Sequence, residues 1–148
     1  MGTIHLGRVR ILGLLVIIAG AILVVGGIVT WFTVKSQLGD EKITVSSDAS
    51  AFAGDKVDGP FTAYTEANTI EKHALAATGG KTYAELAKDD PARQTAMTAS
   101  FLRASLFTSV VSFGIAAMAF GLGIVLILIG WALRSLGVAP ATGPPTIA

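Results

Sequence analysis

The sequence predicts a mainly α membrane fold. Two antiparallel transmembrane helices flank a small α-rich extracytoplasmic domain with minor β content, and the second span continues outward as one long helix. Three observations predict it. ILGLLVIIAGAILVVGGIVTWFTV, residues 11–34, and SLFTSVVSFGIAAMAFGLGIVLILIGWAL, residues 105–133, carry no charge. All ten acidic residues fall between these runs, from Asp40 to Asp90. Proline and glycine divide the intervening stretch into short elements. Only 14% of the 148 residues are charged, against about a quarter in soluble domains, so an ordinary soluble domain is excluded.

Residues 1–10, MGTIHLGRVR, form a basic cytoplasmic tail. That basic start has the character of a secretory signal, but the apolar run after it is too long, since a signal core is usually about 7–15 residues. The nearest Ala-x-Ala triplets, Ala49 to Ala51 and Ala51 to Ala53, lie far beyond its end. An uncleaved anchor over residues 11–34 is expected, because a span needs about 20 apolar residues. With no cysteine, the chain has no lipobox acylation, disulfide or thiolate metal site.

Residues 35–104 hold ten acidic and eight basic side chains, a net charge of −2. No basic patch interleaved with aromatics is present, which argues against nucleic acid as a partner. Positive charge near the span ends does not favour cytoplasmic tails: Arg8, Arg10 and Arg134 face Lys35, Lys42, Arg93 and Arg103. The segment exceeds the roughly 60 residues beyond which loop charge loses influence, and the first helix then dominates. The expected location is the plasma membrane, with both termini cytoplasmic and residues 35–104 extracytoplasmic.

Within that segment EKITVSS, residues 41–47, alternates Ile43 and Val45 on one face and predicts a short strand, with a second near Val57. Gly59-Pro60 starts a helix over about 60–78, with Tyr64, Ala67, Ile70, Ala74 and Ala77 along one stripe. Gly79-Gly80 ends it. Thr82-x-x-Glu85 is a capping-box pattern opening a helix over 82–89, and Asp90-Pro91 caps another over 91–104. Nothing breaks the helical pattern from Pro91 to Leu133, so this last helix and the 105–133 span are expected to be continuous. The Pro, Gly and Ala content of residues 134–148 predicts a disordered C-terminal tail.

Gly13, Gly20 and Gly27 recur every seven residues in the first span, as do Ala116, Gly123 and Gly130 in the second. Seven residues nearly complete two turns, so each set forms a smooth groove along which backbones can approach. Gly114 and Gly121 make a further small-residue face on the second span.

The chemistry is sparse. His5 and His73 are the only histidines, and a bilayer core of about 30 Å separates them in this topology. They cannot share a nucleophile–base pair or a site of two histidines and a carboxylate. Neither span holds an ionisable group for a proton relay. His73 reads as a solvated or packed helix residue, or as a pH-sensitive contact or intersubunit metal ligand. Asp89-Asp90 could bind a cation, but an acidic pair before Pro91 reads more simply as a helix cap and dipole partner. Gly79-Gly80-Lys81-Thr82 lacks the first glycine and preceding strand of a phosphate loop. Catalytic, metal and cofactor residues are therefore not assigned.

Arg103, two residues before an uncharged run that opens with Ser105, Thr108, Ser109 and Ser112, has two readings. Its head reaches the lipid phosphates from the span boundary, or it holds a partner's carboxylate or a lipid headgroup. The four hydroxyls form a polar stripe expected to bond back to the helix or dock a neighbouring one. A small apolar pocket around Phe61, Tyr64, Ile70 and Tyr83 would serve a ligand.

GPFTAY, GGKTYAEL and ASFLRASLFTSVV stand out. Through them, and over most of the chain from about Ile11 to Leu133, the sequence resembles a family of small actinobacterial two-span membrane proteins. The resemblance implies two spans with an outer segment between them. The stretch between Leu86 and Arg93 is shorter here than in many members. Members often carry a label as aromatic ring-opening dioxygenases, yet an iron enzyme of that kind needs clustered ligands that His5 and His73 cannot supply. The expected function is a non-enzymatic accessory or scaffolding subunit of a cell-envelope complex, in contact with the bilayer and with other membrane subunits or itself. The alternative is a membrane sensor or regulator that binds a ligand through residues 35–104. An enzyme assembled between chains ranks third.

Overall fold

The computed structural model describes residues 2–136, with side chains from residue 7 onward. Three helices organise it: α1, Gly2–Asp40; α2, Pro60–Ala77; and α3, Ala92–Leu136. Both α1 and α3 contain stretches long and apolar enough to cross a membrane. Only 17% and 22% of those stretches are buried within the protein, so neither is the wrapped core helix of a globular domain. The predicted tail beyond Leu136 lies outside the described residues, as does the side chain of His5. α1 runs past both expected ends of the 11–34 span, and α3 continues unbroken through the expected boundary at residue 105.

The chain forms two compact units. One comprises α1 up to Gly27 and α3 from Met118. Here the seven-residue spacing becomes backbone contact. A Cβ built on Gly20 would lie 2.6 Å from the Gly123 carbonyl oxygen, and one on Gly123 would lie 2.6 Å from the Gly20 oxygen. Gly13 and Gly130 repeat the arrangement at 2.7 and 2.5 Å. Because a real Cβ does not approach within 3.0 Å, only glycine fits at these four positions. As the α1 number rises by seven, its α3 partner falls by seven. The absent side chains let each Cα point at a carbonyl across the seam, the geometry of weak Cα–H···O contacts. Gly27 is also buried.

The second unit spans Ile28–Ala117. Its core joins Leu38, Val45, Val57, Ala63, Ala67, Leu106 and Phe113. Trp31 meets Phe113 edge-on, with ring centroids 4.8 Å apart. Ala116, the first member of the α3 small-residue set, is buried here.

The expected strands at 41–47 and near 57 are replaced by one antiparallel bridge, Thr44 to Lys56, and the described residues contain no strand. The Val45 N–H donates to the Asp55 oxygen at 2.8 Å and the Val57 N–H to the Ile43 oxygen at 2.9 Å. Val45 and Val57 enter the core, which explains the alternation. Pairing ends there because Lys42, Phe52 and Gly54 take positive φ and turn the chain away. Two isolated arms cannot stabilise a ladder alone, so packing on α2 supplies the support.

α2 starts at Pro60, as the Gly-Pro pair predicts, and the Thr62 hydroxyl oxygen accepts the Gly59 N–H at 3.2 Å. It ends where the Gly80 N–H donates to the Leu75 oxygen at 2.7 Å, with Gly79 at φ 65° and Gly80 at φ 83°. Its buried face is rotated from the expected stripe. Ala63, Glu66, Ala67 and Thr69 are buried, whereas Tyr64 is exposed. Glu66 causes the shift: its carboxylate accepts the Ser46 N–H at 2.7 Å and the Ser46 hydroxyl at 3.0 Å. A buried carboxylate is tolerated when hydrogen-bonded in this way, and it pins the 41–58 loop to α2.

The expected helix over 82–89 is absent. The Glu85 carboxylate accepts the Thr82 N–H and hydroxyl, both at 2.8 Å, so the capping pair forms around turns. Arg93 competes with helix propagation, its Nη1 donating to the Leu86 oxygen at 2.7 Å and to the Tyr83 oxygen at 3.4 Å. A segment this short cannot repay helix nucleation unaided. Asp90 then accepts the Ala92 N–H at 2.8 Å and opens α3.

The glycine seam makes a position-specific prediction. Gly20→Ala or Gly123→Ala forces backbone apart and should cost about 1–3 kcal/mol, an overpacking penalty. Gly121→Ala, on the same helix but with nothing within 4 Å, should be neutral or slightly stabilising. Thermal unfolding in mild detergent separates them; equal melting temperatures for Gly123→Ala and Gly121→Ala would contradict the seam.

Candidate functional site

Arg103 forms an ion pair between two helices of the second unit. The helical pattern places it on α3, and α2 supplies its partner, Glu71. Arg103 Nη2 donates to Glu71 Oε2 at 2.8 Å. The side chains are 38% and 40% exposed, so the pair contributes no more than about 1 kcal/mol and acts mainly to orient the guanidinium. The guanidinium lies 5.2 Å from the Phe107 ring centroid, and Tyr64 meets Phe107 edge-on at 5.8 Å. Arg103 Nε is buried without an acceptor among the described residues. Neither sequence reading anticipated the pairing with Glu71.

Beside this pair, a cleft of about 310 Å³ opens between α2, α3 and the connecting turns. Glu71, Ala74 and Leu75 form one wall and Ala96, Ala99, Ser100 and Arg103 the opposite one. Lys81, Thr82, Tyr83 and Ala84 close the end. The turn segment can form that end because Arg93 fixes it. Besides its bonds to two carbonyls, its guanidinium lies 4.1 Å above the Tyr83 ring centroid, a favourable cation–π placement.

The apolar pocket expected from Phe61, Tyr64, Ile70 and Tyr83 does not assemble. Phe61 is 73% exposed, Tyr64 packs on Phe107, Ile70 packs against the core, and Tyr83 lines the cleft. The cause is local: Tyr83 sits on a turn held by Arg93 instead of on a second helix facing α2.

In the hydroxyl stripe, Thr108 donates to the Ala104 oxygen at 2.8 Å, Ser109 to the Ser105 oxygen at 3.3 Å and Ser112 to the Thr108 oxygen at 2.8 Å. Those protons are spent within α3, so the three hydroxyls offer a neighbour acceptor lone pairs.

His73 joins a surface cluster. Its Nε2 lies 3.0 and 2.9 Å from the two Asp48 carboxylate oxygens, and Lys72 Nζ lies 3.1 Å from Asp48 Oδ2. The hydrogen bond from His73, then that from Lys72, lowers the Asp48 pKa from 3.8 to about 2. The cluster ties the loop carrying Asp48 to α2, as Glu66 does from inside.

No protein-family model, curated protein or solved structure matches the chain. Its functional reading therefore rests on its own geometry.

Because the folded-state pKa of Asp48 is depressed, its stabilisation is fully present above pH 3.8 and lost as pH falls through about 2. The stability difference between the wild-type protein and Asp48→Asn should therefore be present at pH 5 and shrink across that acidic window. Chemical unfolding at fixed pH steps measures it. A difference unchanged down to pH 2 would remove Asp48 from the account.

Proposed function

We propose that this chain is a non-enzymatic integral membrane protein that acts as an accessory or scaffolding subunit of an actinobacterial cell-envelope complex, or assembles with itself. In this reading it belongs with the small two-span proteins it resembles. Its spans are antiparallel, both termini are cytoplasmic, and residues 35–104 stand outside the plasma membrane. The observation that carries the proposal is how the apolar helices use their faces. Glycines on α1 and α3 are spent on mutual contact. Large apolar side chains face outward, including Ile22 at 66%, Val25 at 61%, Leu128 at 58% and Trp131 at 69% exposure. Exposed apolar surface on this scale requires lipid or protein cover.

One observation favours a second reading, a sensor or regulator: the cleft beside Arg103 has the size and mixed polarity of a small-ligand site.

Tagged purification from native membranes in mild detergent, followed by mass spectrometry, tests the proposal. The expected result is a stoichiometric membrane-protein partner or a defined homo-oligomer. Recovery as a monomer without a stoichiometric partner would overturn the scaffolding role and leave the sensor reading.

A further inference from the structure

We infer that the cleft between α2 and α3 binds a phosphate-ester anion, either the headgroup of an anionic phospholipid or a soluble phosphate ester. The inference rests on the membrane reading only for the lipid as source. Three features of the cleft lead to it.

The first is the donor inventory. Two cationic residues, Lys81 and Arg103, line the cleft. Lys81 makes no ion pair among the described residues, and Arg103 makes one, through Nη2 to Glu71. A guanidinium has five N–H donors and an ammonium three, so most of this capacity is unused. Arg103 Nε in particular finds no acceptor among the described residues. The nearby hydroxyls are already committed: Ser100 donates to the Ala96 oxygen and Thr82 to Glu85. Glu71 is the one carboxylate lining the cleft, and Arg103 engages it.

The second feature is the balance of charge. Among the residues that line the cleft, Lys81 and Arg103 are cationic and Glu71 is anionic. Two cations thus stand against one carboxylate. The excess is positive, although the segment as a whole is acidic.

The third is size and placement. At about 310 Å³, the cleft is at the lower end of the roughly 300–1,000 Å³ range of ligand pockets, which suits a compact group. Alanines at 74, 96 and 99 leave the space between the helices open. Arg103 stands two residues before the uncharged run that begins at Ser105, and so at headgroup depth if that run is a span. Phosphate matches this donor set better than carboxylate. It offers more acceptor oxygens to donors on separate walls, with arginine reading two and lysine acting as a point charge.

The test uses the full chain in nanodiscs, with amide chemical shifts at Tyr83 and Ala84 as the readout. In one arm the phosphatidylglycerol fraction rises in a phosphatidylcholine background. In the other, glycerol phosphate is added to pure phosphatidylcholine discs. The expected result is a saturable shift in at least one arm, and the arm identifies the source. Lys81→Gln should weaken binding about tenfold or more, the effect of losing one charge-assisted contact. Ser100→Phe, which fills the cleft and removes no charge, should abolish saturation. No saturable shift in either arm, or wild-type affinity in both variants, would overturn the inference. Alkaline carbonate extraction of the native protein judges the membrane reading separately: release from membranes would sink that reading, while the glycerol phosphate arm still judges the cleft.

Discussion

In a bilayer, two apolar helices gain almost nothing by burying one more methyl group, because lipid is as apolar as leucine. What favours their contact is how closely the backbones approach. The pairs Gly13 with Gly130 and Gly20 with Gly123 meet that constraint, with carbonyl oxygens standing where side chains would begin. Two consecutive pairs seven residues apart fix the register as well as the separation. A slip of one residue would set Leu, Ile, Ala or Trp side chains against a backbone that only glycine can meet.

The second unit is held by a different kind of interaction. Its apolar core is modest, and two loops must be kept against α2 and α3. Glu66 holds one by accepting two bonds from Ser46 inside the unit. Arg93 holds the other from the surface. Removing the buried Glu66 carboxylate would leave the Ser46 N–H without its partner, and such a loss costs more than the net contribution of an ordinary hydrogen bond. The resulting frame brings Arg103, Lys81 and Tyr83 to one cleft.

Much of the helical framework was legible in the sequence because it is written locally. Gly59-Pro60 and Gly79-Gly80 bracket α2 to within a residue, and no breaker interrupts α3. The glycine spacing pointed to a seam because the seven-residue repeat is itself geometry. Features that depend on residues distant in sequence were not legible. Glu66 reads as a solvated helix residue until Ser46, twenty positions earlier, is placed against it. Glu71 lies far from Arg103 in the chain, so nothing near either residue signals their ion pair. The 82–89 helix illustrates competition: the capping pair forms, but Arg93 takes carbonyls from the same turn. Alternation at Ile43 and Val45 gave the correct inward face but overstated the length of pairing.

The central proposal is that two apolar helices cross a membrane antiparallel, in the register set by their glycines. With no native cysteine, spin labels can be placed at Leu12→Cys and Trp131→Cys, both on exposed side chains. Their separation in nanodiscs can then be read by double electron–electron resonance. Helix axes about 8–10 Å apart should give a narrow distribution centred near 20 Å once the label tethers are included. A distribution centred beyond about 35 Å would contradict the account, since parallel or separated helices put these positions most of a span apart, at 1.5 Å per residue.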